Sequence, residues 1–397
     1  MIEFCYQGKI DDFFIPNGTP PFIVDKMKKM KNPLKVFENG CFQEDLKLEI
    51  GVSTLRHIKA LLEHGNVEYR ECLISERINK NYLLPIAVFG SANGIVGISN
   101  GQIDCEFTKT FTDKVLVDIR NGKCKVLLDN VSEGLPYDKN WCEKIHEVID
   151  SSNLSRSSIY FFTGNNVFKQ NYIQDFNDTM NILETQTFFE SQTKDYCNNN
   201  FLYNEKFKSH KRHKYFLSLN RSPRLHRSKL FDYLKENDLL EYGYVSFVWR
   251  DYFVDSELTT SAEDNQAGAF IEREYFEDSY FNIVTETWFY EKSLFLTEKI
   301  FKSIIYFQPF LLFGGAHSLK LFRDLGYKTF DKIIDESYDD EENNDKRFNM
   351  VISELNRLCK IPIEEIHDMY LSVRDILEHN YNHFLLDKEI GEWRLEL

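Results

Sequence analysis

Short apolar runs of strand length recur along this chain, each closed by a turn signal and followed by helical periodicity. That alternation restricts the chain to an α/β architecture with parallel sheets. The run 83–89 (LLPIAVF) ends at Gly90 and reads as a buried strand, as does 158–163 (SIYFFT), closed by Gly164. Between them Asp138 starts a helix to Ile149, with Trp141, Ile145 and Val148 on one side. Residues 52–63 place Leu55, Ile58, Leu61 and Leu62 on one helical face. Residues 115–119 and 125–128 read as two short strands around Asn121-Gly122, a hairpin-type turn. The pattern pauses over the polar stretch 187–213, a linker candidate, and then restarts. Strands are predicted at 215–219, 243–248, 281–285 and 309–313, and helices at 223–236, 298–306 and 317–325, the last capped by Gly326. Helical pattern fills 347–358 and 362–384. The pause and restart predict two Rossmann-like domains facing a cleft, over 1–200 and 201–397, with C-terminal helices. Open sheets of this kind bind ligands at the carboxyl ends of their strands.

A chain of 397 residues suits two domains of about 100–200 residues each. With 42% hydrophobic and 28% charged residues it is globular rather than disordered in composition. The net charge of −15 argues against nucleic acid or an anionic membrane as a general partner. Eight Cys are scattered singly, without a C-x-x-C pair or zinc-like spacing, which fits reduced thiols in a cytoplasmic protein. No stretch approaches the ~18–20 apolar residues of a membrane span, and the first residues lack a signal-peptide core.

Against that acidic background, 206–229 is the strongest charge anomaly. It carries Lys206, Lys208, Lys211, Arg212, Lys214, Arg221, Arg224, Arg227 and Lys229, and no acid. A strand enters, Asn220-Arg221 turns, and Ser222-Pro223 is expected to open a helix, Ser as N-cap and Pro at the first helical position. Free N–H groups and the positive dipole end then lie beside Arg221, Arg224 and Arg227, a fit for a diphosphate. The competing readings are a solvated basic face and a track for single-stranded nucleic acid, with Tyr215 and Phe216 as stacking rings. A second helix start follows at Thr297, an N-cap candidate, leaving Glu298 and Lys299 above the strand ends. Glu298 can accept from a ribose diol, and Lys299 can sit on a β-phosphate; an ordinary acidic first turn reads the same way.

The two segments FLSLNRSPRLHRSKLFDYL and FLTEKIFKSIIYFQPFLLFGG together resemble the C-terminal domain of α1,3-fucosyltransferases, glycosyltransferase family 10. Those enzymes carry a strand ending in Ser-Asn with an Arg several residues on, then Tyr-x-Thr-Glu-Lys before a helix and a buried strand. The stretch LKLFRDLGYKTFDKIIDESYDD is similar to a tail found in phage and giant-virus glycosyltransferase-like proteins. The resemblance covers about 214–345 and departs at Leu219, which separates Ser218 from Asn220, and at Phe295 in place of Tyr. It implies the glycosyltransferase B arrangement, a nucleotide-diphosphate sugar as co-substrate with GDP-fucose as one donor of the type, a glycan or other hydroxyl acceptor, and a host-cytoplasm setting if the source is viral. It implies Arg227, or else Arg221 or Arg224, on the diphosphate, Glu298 on the ribose and Lys299 on the phosphate beside the breaking bond. Asn220, Glu286 and Thr297 complete the expected donor site. No Asp-x-Asp motif follows an apolar strand, so an inverting transfer without a metal or other cofactor is expected.

Such a transfer needs a carboxylate base for the acceptor hydroxyl. Glu133, in the loop after 125–128, is the first candidate and Asp129 the second; a plain surface acid is the alternative for each. Glu286, closing the strand 281–285, can bond sugar hydroxyls or pair with Lys292. His317 is expected to be structural, the run 339–342 (DDEE) to be solvated, and a nucleic-acid-binding role for 206–229 is the alternative function.

Overall fold

The computed structural model describes residues 1–6, 68–87, 97–99, 102–104, 107–131, 134–185, 190, 193–194, 197, 204–254 and 273–386. The chain divides into two compact units, one within Met1–Ser191 and one within Gln192–Asp387. The expected helix at 52–63 lies outside the described residues.

In the first unit the strands are β1 (Ile2–Tyr6), β2 (Tyr69–Leu73), β3 (Tyr82–Ala87), a short separate pair β4 (Gly97–Ser99) and β5 (Gln102–Asp104), then β6 (Cys124–Asn130), β7 (Ile159–Thr163) and β8 (Asn181–Glu184). Six of them form one sheet in the order β2-β1-β3-β6-β7-β8, parallel throughout. The central strands are buried along nearly their whole length, which is why they read as continuous apolar runs rather than alternating ones. Helices α1 (Asp113–Arg120), α2 (Lys139–Ser151) and α3 (Phe168–Asp175) fall between them. Asp138 caps α2 as its sequence predicts, accepting from Trp141 N at 2.9 Å. The Trp141 ring then meets Phe161 of β7 edge-on at 5.3 Å, at the heart of this core.

One sequence reading fails here. Residues 115–119 are helical, not a strand. Thr112 caps the helix by accepting from Val115 N, and Val115 and Ile119, four apart, are buried on one face. The Asn121-Gly122 pair closes a helix instead of a hairpin. Gly122 adopts φ 70°, Gly122 N donates to Ile119 O, and Lys123 N to Asp118 O, the two bonds of a Schellman stop.

The second unit runs β9 (Lys214–Asn220), α4 (Leu225–Glu236), β10 (Gly243–Phe247), α5 (Arg273–Glu277), β11 (Ser279–Thr285), α6 (Glu298–Ile305), β12 (Phe310–Phe313) and α7 (Ser318–Asp324), then three C-terminal helices. These are α8 (Asn344–Lys360), α9 (Ile363–Ser372) and α10 (Arg374–Leu385). The sheet order is β10-β9-β11-β12, again all parallel. β9 packs so closely on β10 that a Cβ at Gly243 would collide with the ring of Phe216, its register partner. The buried face of α6, Ile300, Phe301, Ile304 and Ile305, is covered in part by α10, whose Phe384 ring lies 6.3 Å from that of Phe301.

Two further expectations need correction in this unit. Helix α4 starts at Leu225 with Arg224 in the cap position, and Ser222 caps nothing. The Ser222 carbonyl is held instead by Arg227 Nη1 at 3.0 Å, outside the helix. The run 339–342 is not uniformly solvated. Asp339 is buried and caps α7, accepting from Leu319 N and Lys320 N, both at 2.8 Å. His317 stands at the start of α7 with φ 66° and bonds Glu342 through Nε2 at 2.9 Å.

Candidate functional site

In the second sheet the chain goes from β9 outward to β10, then returns to the other side of β9 for β11 and β12. The reversal lies between β9 and β11, and ligands in open α/β sheets settle at the carboxyl ends of such a pair. Register pairing between them runs from Lys214/Ser279 to Leu217/Asn282. Beyond it side chains link the strand ends: Thr285 Oγ1 donates to Asn220 Oδ1 at 2.5 Å, and Asn220 Nδ2 to Ser218 Oγ at 3.1 Å. Asn220 is buried and fixes the floor.

Above that floor two helix N-termini converge. Glu286, the residue after β11, is 1% exposed. Its Oε1 accepts from Thr297 N at 3.0 Å and its Oε2 from Thr297 Oγ1 at 2.6 Å. Glu286 thereby staples the cap of α6 to the end of β11. Burial pushes its carboxyl pKa up, while Lys299 and the Thr297 bonds pull against that shift. Thr297 caps α6 and accepts from Lys299 Nζ at 2.9 Å. The same ammonium lies 3.1 Å from Glu298 Oε1. Burial alone would raise the Glu298 pKa, but Lys299 and Lys302 outweigh it and hold the carboxyl at about 2. Lys302, one turn further, is 8% exposed, and burial lowers its pKa to about 8 despite Glu298.

On the α4 side Arg227 is buried and its fork faces the main chain. Nη1 donates to Ser222 O, and Nη2 to Thr285 O at 2.9 Å and Glu286 O at 3.3 Å. Burial, then Arg224, brings its pKa down to about 10, which still leaves it cationic at neutral pH. His226 Nε2 reaches Glu286 O at 3.0 Å, and the ring stacks on Phe289 at 5.2 Å. Burial and the Arg227 charge lower its pKa to about 3, so it is neutral and donates through Nε2. Arg224 is exposed and lies over the Trp288 ring at 4.9 Å; Arg221 is exposed in the loop after β9.

Eight expected site residues, Asn220, Arg221, Arg224, Arg227, Glu286, Thr297, Glu298 and Lys299, thus occur on the segments at this one sheet end. Glu133 lies outside the described residues. Asp129 stands near the carboxyl end of β6, buried, accepting from Val131 N at 3.1 Å. His226, Trp288 and Lys302 were not singled out by sequence. Only Lys302 carried a readable signal, its i,i+4 spacing from Glu298.

Of the other cations of 206–229, Lys229 follows on α4 and pairs with Asp345 at 3.0 Å, and the rest lie at or before the start of β9, about 20 Å from this end of the strand. At its start Arg212 is buried, bonded to Phe276 O and Tyr370 Oη, and Lys208 pairs with Glu277 at 2.6 Å. The described residues also bring Glu3, Cys5 and Cys72 together in the first unit. Glu3 there accepts from Ile78 N and Asn79 N beside Arg70, and burial raises both thiol pKa values.

No helix among the described residues is long and apolar enough to cross a membrane. No family model, curated protein or solved structure matches this chain, which is by its architecture an α/β protein of two parallel, Rossmann-like sheets.

Proposed function

We propose that this protein is a glycosyltransferase that binds a nucleotide-diphosphate sugar at the carboxyl end of the second sheet, between β9 and β11. The observation that carries the reading is the convergence of Glu298, Lys299 and the capped start of α6 with Arg224 and Arg227 of α4 at a topological switch point. Lys299 and Arg224 take the diphosphate, with Arg221 alongside, and Arg227 adds a fixed positive charge behind it. Glu298, kept ionised by its lysines, accepts from the ribose hydroxyls. Asn220, Glu286 and Thr297 hold these groups in place. The acceptor oxygen attacks the anomeric carbon, with inversion, as the bond to the diphosphate breaks. Cations aimed at the leaving oxygens stabilise the charge that develops, with no metal required. Glu133 is the proposed base for the acceptor proton, and Asp129 the second candidate. A deoxyhexose donor such as GDP-fucose is the donor class that the resemblance to α1,3-fucosyltransferases implies, and a glycan or other hydroxyl compound the acceptor.

The split of the basic run supports this reading over a nucleic-acid track, because a strand of phosphates needs a continuous row of cations. Thermal-shift screening against GDP, UDP, CDP and dTDP separates the two. A shift with at least one nucleotide diphosphate is expected. Salt-sensitive binding of single-stranded oligonucleotides with no diphosphate response would reverse the assignment.

A further inference from the structure

Lys299 is already engaged before any phosphate arrives. Its ammonium lies 2.9 Å from Thr297 Oγ1 and 3.1 Å from Glu298 Oε1. A phosphate that draws the ammonium towards itself weakens its hold on Glu298, a carboxylate that is only 19% exposed. A carboxylate that loses its partner in such a place becomes costly. The cost falls if a second cation stays behind. Lys302 is placed for that: it follows Glu298 by four residues, on the same face of α6, and is itself buried.

We propose that Lys302 is the resident counter-ion of Glu298 and thereby a positioning residue that releases Lys299 to the phosphate of the ligand. This rests on the nucleotide-sugar reading above. The charged groups around the cluster are Glu298 and Lys299 on α6, Glu286 just after β11, Arg224 at the cap of α4 and Arg227 within it. With both lysines present, two acids and two lysines balance on α6 and β11. When Lys299 turns to a phosphate, the charge of Lys302 still acts on Glu298. Without Lys302, Lys299 is the sole lysine for both acids, with Arg227 the other cation that acts on them, and is held more tightly on Glu298. A lysine with only a packing role would show no such dependence on the acid.

The probe is inorganic pyrophosphate, which occupies the phosphate positions and makes no ribose contact. Its affinity is measured by calorimetry for the full chain, for K302M, for E298Q and for the double variant, with circular dichroism to confirm folding. K302M should bind pyrophosphate roughly tenfold more weakly, and E298Q should restore roughly tenfold in the K302M background but under about threefold alone, a coupling in the range of neighbouring charges. Lys302→Arg should bind like the parent. If K302M does not fold, Lys302→Gln takes its place in the cycle. The proposal is overturned if the Lys302 variant binds pyrophosphate as the parent does, or if E298Q has the same effect in both backgrounds. Failure of the parent chain to bind pyrophosphate or any nucleotide diphosphate would instead remove the underlying functional reading, and this inference with it.

Discussion

Arg212 and Arg227 come from one basic run and sit at opposite ends of one strand, yet their surroundings differ in a way that separates scaffold from site. Both are buried and both point their forks at main-chain oxygens. Around Arg212 several cations already have acid partners: Lys208 pairs with Glu277, and Arg273 with both Glu205 and Glu277. The Arg212 guanidinium also lies 4.2 Å over the Tyr370 ring, which ties β9 to α9. Around Arg227 the balance is different. Arg221, Arg224, Lys299 and Lys302 are near it in the chain or on the converging helix, with Glu286 and Glu298 as the acids. A local excess of positive charge at a strand's carboxyl end is what an anionic ligand would complete. The two halves of the run carry similar numbers of cations, five up to Lys214 and four from Arg221. What distinguishes them is which acids the fold brings back.

The sharpest way to break this comparison is to remove the cation that faces the proposed leaving group. Lys299→Ala should lower turnover by about 10²–10³, measured as nucleotide diphosphate release, in a variant that circular dichroism shows to be folded. EDTA should not affect the parent's rate. Loss of turnover with EDTA, or full activity in folded Lys299→Ala, refutes the charge-stabilisation mechanism.

The next effect is on stability. Arg212→Ala leaves the Phe276 and Ser279 carbonyls and the Tyr370 hydroxyl short of a buried donor. A loss of about 3 kcal/mol in urea unfolding is expected, with nucleotide diphosphate affinity unchanged in the folded protein. Arg227→Ala should also destabilise, since it too frees buried carbonyls, but it should weaken nucleotide diphosphate binding as well. Equal effects of the two variants on binding would erase the distinction between the two ends of β9.

Sequence alone made this sheet end legible because its parts are local. Thr297 caps, Glu298 and Lys299 follow, and the apolar run 309–313 fixes the strand beyond. The strand–helix alternation was equally readable wherever apolar runs are bounded by Gly or a capping residue. Failures occurred where one signal serves two structures. Asn-Gly ends α1 as well as it would turn a hairpin, and only the burial of Val115 and Ile119 on one face decides. Ser222-Pro223 is a sound helix opening, overridden by Arg227 taking the Ser222 carbonyl. Asp339 looked like one of four solvent acids because its partners, Leu319 N and Lys320 N, lie about twenty residues upstream. The burial of Lys302 was hidden for the same reason: its cover comes from tertiary packing, not from α6 itself.

The smallest effect is the most specific to the charge arrangement. Glu298 and Glu286 are both acids of this cluster, and the fold shifts them in opposite directions. Glu298 is held at about 2, below its ordinary 4.5, because Lys299 and Lys302 overcome the cost of burial. In the native state it releases its proton more readily than in the unfolded chain. Its ionised form therefore stabilises the fold above about pH 4.5, and that contribution fades as pH falls from 4.5 towards 2. Glu286 is raised above its ordinary value by burial, so its ionisation opposes folding and the opposition is relieved as pH falls. The parent should be more stable than E298Q at pH 6, and the gap should narrow as urea unfolding is repeated at pH 5, 4 and 3. For Glu286→Gln the electrostatic part of the difference should move the other way, on top of a constant loss from the weakened Thr297 cap. A gap between parent and E298Q that is flat from pH 6 to 3 would mean that Glu298 is not held ionised by the two lysines, and would detach it from the cluster that marks this end of the sheet.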